Sequence, residues 1–150
     1  MEEINFVEYN TDFLVLSWDW LNDPEIKQLT NTPDFTKEAQ EKWFETLKDK
    51  QDYKVWGIEY NNMKIGVVGL KNIFEQSAEY FGYIGNKQFW NKGISKNMLD
   101  HVLTYAKKNW ISRLELKVIK NNLQAIRAYQ KYGFVVYEEK DNELIMRLQT

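Results

Sequence analysis

The chain contains no cysteine and only one histidine, His101, among its 150 residues. The absence of cysteine excludes disulfides, thiolate nucleophiles and cysteine-based metal sites. A single histidine cannot build a histidine-rich metal site. We therefore predict no metal site, and we assign His101, which lies within a predicted helix, to surface or helix packing.

The sequence also lacks a long apolar run and an excess of positive charge. No apolar run approaches the roughly 20 residues that cross a bilayer. The acidic segment 1–5 lacks the basic and apolar regions of a signal peptide. The net charge of −2 argues against a general nucleic-acid binder, which needs a basic surface. These features predict a cytoplasmic protein with no membrane and no nucleic acid among its partners.

Apolar periodicity predicts a single domain over residues 1–150, in which strands alternate with helices. Helical spacing over 12–29 is interrupted at Pro24, where Asp23 can cap a new short helix. The predicted helices are 12–29, 36–50, the segment that follows the 91–97 loop, and 123–131 with Gly133 as its C-cap. The predicted strands are 4–9, 54–60, 64–70, 79–84, 114–119, 134–138 and 143–148. The resulting order is β-α-α-β-β-β-α-β-α-β-β, an α/β layered domain.

The loop 91–97 joins a predicted strand to an apolar helix and suits an anionic phosphate. The first turn of a helix has unpaired N–H groups and a partial positive charge. Gly93 lets the backbone approach a ligand, Ser95 can cap the helix, and Lys92 and Lys96 add full charges. Ordinary turn chemistry is the alternative explanation of this pattern.

Two motifs resemble those of the GNAT N-acetyltransferases. The segment 122–134 is similar to the N-x-x-A-I-x-x-Y-x-x-x-G-F signature of that family. The segment 90–95 occupies the place of its Q/R-x-x-G-x-G/A loop for the pyrophosphate of acyl-CoA. Trp90 and Ser95 depart from that pattern, but both leave the backbone amides in place. The resemblance covers essentially the whole chain, because the order of elements also matches.

The resemblance implies a mixed sheet whose fourth and fifth strands, 79–84 and 114–119, splay apart around the pantetheine arm of acetyl-CoA. Gly82 and Gly85 would then permit close backbone approach. Acetyl-CoA would be the co-substrate, and an amine would attack its thioester directly, so that no acyl-enzyme is needed. The implied acetyl-CoA-binding residues are Tyr83, Ile84, Lys92, Gly93, Ile94, Ser95, Lys96, Asn122 and Tyr129.

The resemblance implies that Tyr129 protonates the departing thiolate. Glu79 on the fourth strand is the remaining candidate for the general base, acting directly or through water. Simple packing of Tyr129, and a solvated or ion-paired Glu79, are the alternatives. Lys117 stands where one branch of protein N-terminal acetyltransferases has a glutamate, which argues against that branch.

The acceptor is the least determined feature. Segments 20–26 and 36–44 are similar to the helices of bacterial acetyltransferases of nucleotide-linked amino sugars, as in the pseudaminic-acid pathway. That resemblance implies a small-molecule amine acceptor bound by Trp20, Asn22 and Glu79, in a monomer or homodimer. A ribosomal-protein-like N-terminal acetyltransferase is the second hypothesis, and a non-catalytic acyl-CoA-binding module is the third. Four aromatic residues near the N-terminus have two alternative predicted roles. Either they all belong to the core, or one or two of them line the acceptor site: Trp18, Trp20, Trp43 and Phe44.

Overall fold

A computed structural model describes residues 3–150. The strands are β1 Ile4–Glu8, β2 Lys54–Tyr60, β3 Met63–Phe74, β4 Ser77–Ile84, β5 Arg113–Ile119, β6 Val135–Glu139 and β7 Glu143–Gln149. The helices are α1 Thr11–Asn22, α2 Pro24–Leu29, α3 Lys37–Thr46, α4 Ile94–Lys108 and α5 Leu123–Tyr132. Short 3₁₀ turns occupy Leu47–Asp49 and Lys87–Phe89. Within residues 3–150, no helix is both long enough and apolar enough to cross a membrane.

The seven strands form one mixed sheet in the order β1-β2-β3-β4-β5-β7-β6. Neighbouring strands are antiparallel, except that β4 and β5 run parallel. These two strands pair only where Ser77–Glu79 lies beside Arg113–Glu115, although they continue to Ile84 and Ile119. They therefore separate beyond Glu79 and leave a gap inside the sheet. The predicted mixed α/β fold with splayed fourth and fifth strands is confirmed.

The segment predicted as an interrupted helix over 12–29 forms two helices, α1 and α2. Asp23 lies between them in an extended conformation, and its carboxylate accepts hydrogen bonds from the N–H groups of Glu25 and Ile26. Pro24 occupies the first turn of α2, where its missing N–H costs no helical hydrogen bond. The cap and the proline thus fix the break between the helices, as predicted.

Apolar side chains cover both faces of the sheet. Val55 and Val67 belong to one buried cluster, which packs against α1 and α3. Their chain neighbours Trp56 and Val68 belong to the other, larger cluster, which includes residues of α4 and α5. Successive strand residues point to opposite faces, so the helices cover the sheet from both sides. His101 belongs to this packing, since its ring stacks on Phe6 at 4.2 Å between centroids.

Gly85 follows β4 and allows α1 to pack closely against the end of that strand. A Cβ atom built on Gly85 would lie 2.0 Å from the indole of Trp20. The same indole meets the ring of Tyr83 edge-on, with 6.3 Å between centroids. Trp20 therefore fastens α1 to the strand that borders the gap.

We predict that Gly85→Ala destabilises the protein by about 1–3 kcal/mol, because the added methyl overpacks the site. Urea denaturation measures the loss as a lower midpoint at an unchanged m value. In a Trp20→Leu background, where the indole is gone, the same alanine should cost much less. Equal costs in the two backgrounds would show that this contact does not require glycine.

Candidate active site

A cleft of about 1240 Å³ opens where β4 and β5 separate. The facing strand ends, 80–84 and 116–119, form its floor, and the loop 89–95 forms one rim. The N-terminal turn of α5 forms the opposite rim. Gln124 on α5 donates a hydrogen bond to Asn91 in the loop, so the two rims touch. Residues of α1, α2, α3 and the α2–α3 loop enclose the remaining side.

The N-terminus of α4 faces this cleft, and no side chain caps it. Gly93 is the N-cap with φ of 75°, and no side chain caps the helix or places a negative charge in its first turn. Residues 91–95 all line the cleft. The free N–H groups and the helix dipole make this turn an anion site. The prediction that Ser95 caps the helix was wrong, because Ser95 lies within the first turn and not before it.

The two lysines of the loop have different surroundings. Lys92 lines the cleft and forms no ion pair within residues 3–150. Lys96 does not line the cleft, and its ammonium lies 3.1 Å from Asp100. Asp100 also accepts a 2.6 Å hydrogen bond from Tyr132, and this bond, more than Lys96, lowers the pKa of Asp100. Of the residues predicted to bind acetyl-CoA, only Lys96 lies outside the cleft.

Trp90 fastens the loop to the end of β4. Its indole N–H donates a 2.8 Å hydrogen bond to the carbonyl of Ile84. The ammonium of Lys87 lies 5.7 Å from the indole ring and also forms ion pairs with Asp23 and Glu25, at 2.9 and 3.0 Å. The tryptophan that departs from the family motif therefore has a structural role, which the sequence pattern did not predict.

Tyr129 projects from α5 into the cleft. Asn122 caps α5 by accepting from the N–H of Ala125, and Gly133 ends the helix with φ of 125°. The ring of Tyr129 packs edge-on against Tyr80 at 6.4 Å between centroids. Burial raises the pKa of the Tyr129 phenol to about 12. The phenol is protonated at neutral pH, as an exposed tyrosine is, and burial makes it a weaker acid.

Glu79 lies on β4 at the point where the gap begins. Its carboxylate is 3.7 Å from the ammonium of Lys71 and 3.9 Å from that of Lys117. Asn72 donates a 3.2 Å hydrogen bond to it. The side chain is only 12% exposed and lines the cleft. Glu79 is thus an ion-paired carboxylate between two cations, at the edge of the cleft.

The two predicted acceptor residues of α1 do not line the cleft. Trp20 packs against Gly85, and the amide of Asn22 donates a 2.7 Å hydrogen bond to the carbonyl of Trp18. Ser17 and Leu21, one helical turn apart, line the cleft instead. Trp20 and Asn22 point elsewhere because residues one position apart on a helix differ by about 100° in direction.

The side of the cleft that α1 and α3 enclose has an aromatic wall that sequence analysis largely missed. Trp43 meets Tyr53 edge-on at 5.8 Å, and Tyr53 meets Phe81 at 5.6 Å. Of this wall, Trp43 was a candidate for the acceptor site from the sequence, and Tyr83 was predicted to bind acetyl-CoA. The others share no local motif, so only tertiary contacts reveal them. The aromatic side chains of this wall are Tyr9, Phe35, Trp43, Tyr53, Phe81 and Tyr83.

The fold, the uncapped helix end and the open strand pair define an acyl-CoA-dependent transferase of the GNAT class. The model of the acetyltransferase (GNAT) domain family matches residues 6–135, so the chain belongs to this family. It is an N-acetyltransferase that uses acetyl-CoA. Within residues 3–150, no three histidine, cysteine, aspartate or glutamate side chains are grouped so that they could hold a metal ion.

Proteins of Campylobacter jejuni and Methanocaldococcus jannaschii are among those that the chain resembles. The chain is 28% identical over 136 residues to acetyltransferase PseH of Campylobacter jejuni, covering 90% of this chain and 85% of that protein. The crystal structure of C. jejuni N-acetyltransferase PseH in complex with acetyl coenzyme A superposes with a TM-score of 0.74 at 20% identity, over 99% of each chain. A domain from Methanocaldococcus jannaschii superposes with a TM-score of 0.88 at 20% identity, over 100% of each chain.

We predict that Gly93→Val weakens CoA binding by about tenfold or more. A side chain in this left-handed conformation costs roughly 1–2 kcal/mol, and valine would also obstruct backbone approach. Gly93→Asn is the matched control, because asparagine tolerates positive φ. Its CoA affinity, by titration calorimetry, should fall much less than that of the valine variant. Unchanged affinity in Gly93→Val would exclude this turn as the binding element.

Proposed function

We propose that this enzyme transfers acetyl from acetyl-CoA to the primary amine of a nucleotide-linked amino sugar. The observation that carries the proposal is the aromatic wall on the acceptor side of the cleft. Aromatic faces offer stacking surfaces to sugar rings and bases, with little loss of side-chain entropy on binding. The resemblance of the N-terminal helices to amino-sugar acetyltransferases supports the same acceptor class.

The charges that line the cleft disfavour a cationic acceptor. Lys71, Lys92 and Lys117 contribute three positive charges, and Glu79 and Glu143 contribute two negative charges. The described lining therefore carries one net positive charge, and it is neutral when Lys92, which we assign to acetyl-CoA, is left out. A protonated peptide terminus or a polyamine prefers an acidic groove, and this lining is not acidic. This charge balance is the reason that we place protein N-terminal acetylation second.

We assign the acetyl-CoA side of the cleft to the loop and the separated strands. The N–H groups of residues 93–96 and the ammonium of Lys92 hold the pyrophosphate. The backbones of Tyr83 and Ile84, which lie beside the gap, bind the pantetheine arm as a neighbouring strand would. Asn122 supports this arrangement by fixing the first turn of α5. For Lys96 we assign only the backbone N–H, because its side chain pairs with Asp100.

The proposed reaction needs one proton removed and one supplied. The amine loses a proton and its nitrogen bonds to the thioester carbonyl carbon, while the C–S bond breaks and leaves a thiolate. Glu79, directly or through water, receives the proton from the amine. Tyr129, whose phenol is protonated, supplies the proton to the thiolate sulfur. A non-catalytic acyl-CoA-binding module would not need a protonated phenol in the cleft.

The acceptor class is tested by thiol release from acetyl-CoA across UDP- and dTDP-linked amino sugars, N-terminal peptides and spermidine. We expect turnover with an amino sugar and negligible turnover with peptides or spermidine, because the cleft is aromatic and not acidic. Lys117→Glu, which makes the lining acidic, should lower turnover of the amino sugar. Robust turnover of a peptide by the wild type, with no response to any sugar, would establish the second hypothesis.

The role of Tyr129 is tested by Tyr129→Phe, which keeps the ring and removes the hydroxyl. General acid catalysis contributes roughly 10²–10⁴-fold, and we expect the lower end because a thiolate is a fairly good leaving group. The expected result is a lower kcat with an almost unchanged KM for acetyl-CoA. Tyr105→Phe, which removes a phenol outside the cleft, is the control. A kcat within about twofold of wild type, far below that range, would make Tyr129 a packing residue.

A further inference from the structure

Gln40 is a polar residue on the inner face of α3, and it lines the cleft. The charged side chains of this helix and Thr46 are exposed, whereas Gln40 is half-buried. Gln40 precedes Trp43 and Phe44 by three and four residues, so it lies on the same stripe of the helix as these two aromatic side chains. An apolar residue would complete this stripe, so packing alone does not explain the amide.

The Gln40 side chain is held in place by a hydrogen bond to α1. Its Nε2 group donates to the carbonyl of Leu14 over 3.2 Å, in a partly buried contact. A carbonyl oxygen only accepts hydrogen bonds, so this contact also determines which end of the amide is the nitrogen. The side chain therefore has a defined position and a defined orientation.

Most of the hydrogen-bonding capacity of this amide is unused. A glutamine amide has two N–H donors and a carbonyl oxygen with two lone pairs. Within residues 3–150, the bond to Leu14 is the one hydrogen bond of the Gln40 side chain, and it uses one N–H. The second N–H and the Oε1 atom are left for a ligand, so Gln40 offers one donor and one acceptor side by side.

The aromatic wall begins next to this amide. Trp43, one turn further along α3, meets Tyr9 edge-on at 5.6 Å and Tyr53 edge-on at 5.8 Å between centroids. A sugar ring that stacks on such a wall carries its substituents at the edge of the ring. A hydroxyl or an acylamino group can donate and accept at the same time, which is the complement of what Gln40 offers.

We propose that Gln40 determines acceptor specificity by forming a pair of hydrogen bonds with a hydroxyl or acylamino group on the acceptor ring. This inference rests on the proposed function, because a sugar carries such groups whereas a protonated polyamine offers donors only. An acceptor that lacks the matching group leaves the amide without this partner and is acetylated less efficiently.

The test compares a UDP-linked 4-amino sugar with analogues that each lack one ring substituent, a hydroxyl or the acylamino group, using kcat/KM from thiol release. Wild type should prefer the parent over one analogue by roughly 4- to 100-fold, since each of two hydrogen bonds contributes roughly 2- to 10-fold. The analogue that is disfavoured identifies the group that Gln40 binds. In Gln40→Met, which keeps the length of the side chain and removes the amide, this preference should fall toward one.

A purely structural role of Gln40 predicts a different result. If the amide only joins α3 to α1, Gln40→Met slows all analogues by the same factor and the preference survives. An acetyl-CoA KM close to that of wild type shows that the variant is folded, and Gln40→Leu replaces it if it is not. Gln130→Met, the same substitution at an exposed position of α5 outside the cleft, is the control and should keep the wild-type preference.

The outcomes separate this inference from the proposed function. If wild type acetylates the amino sugar without preference among the analogues, or if Gln40→Met keeps the preference, the inference is overturned and the proposed function stands. If wild type acetylates only spermidine, both are overturned. If it acetylates only a peptide, the proposed function is overturned, and the peptide is compared with analogues that carry single N-methylated amides. A preference that Gln40→Met abolishes would then support the role of Gln40, and an absent or unchanged preference would overturn it.

Discussion

The loss of pairing between β4 and β5 beyond Glu79 is the constraint on which the rest of this structure depends. Both strands lie inside the sheet, so their separation leaves backbone donors and acceptors without strand partners. Such groups require other partners, and the amides of a pantetheine arm can supply them. The break in the sheet therefore creates the binding site. The short parallel pairing at Ser77–Glu79 holds the two strands together at the closed end of the gap.

The two ends of this gap carry different charges. The uncapped end of α4 and the free cation of Lys92 make the loop end positive. At the narrow end, Glu79 lies between Lys71 and Lys117, so its negative charge is balanced by two cations. Burial further disfavours the phenolate of Tyr129. One cleft thus combines an anion site, an ion-paired carboxylate and a protonated phenol.

Ion pairs of Lys87 connect the two sides of the cleft. Asp23 caps α2, on the acceptor side, and also pairs with Lys87, which precedes the loop on the acetyl-CoA side. The Lys87 hydrogen bond is the main reason that the pKa of Asp23 is lowered. Trp90 continues this connection to β4 through the carbonyl of Ile84. These contacts link α2 to the loop that precedes α4.

The sequence by itself determined the features that depend only on residues close together along the chain. The Asp23–Pro24 break, the glycine before α4 and the positions of Asn122 and Tyr129 on α5 all follow from local capping and helical spacing. Tertiary structure decided which side chains reach the cleft. It turned Trp20 toward Gly85 and brought Ser17 into the lining, and it assembled the aromatic wall from separate elements. These contacts join residues far apart in the chain, and their geometry depends on packing, which no local pattern specifies.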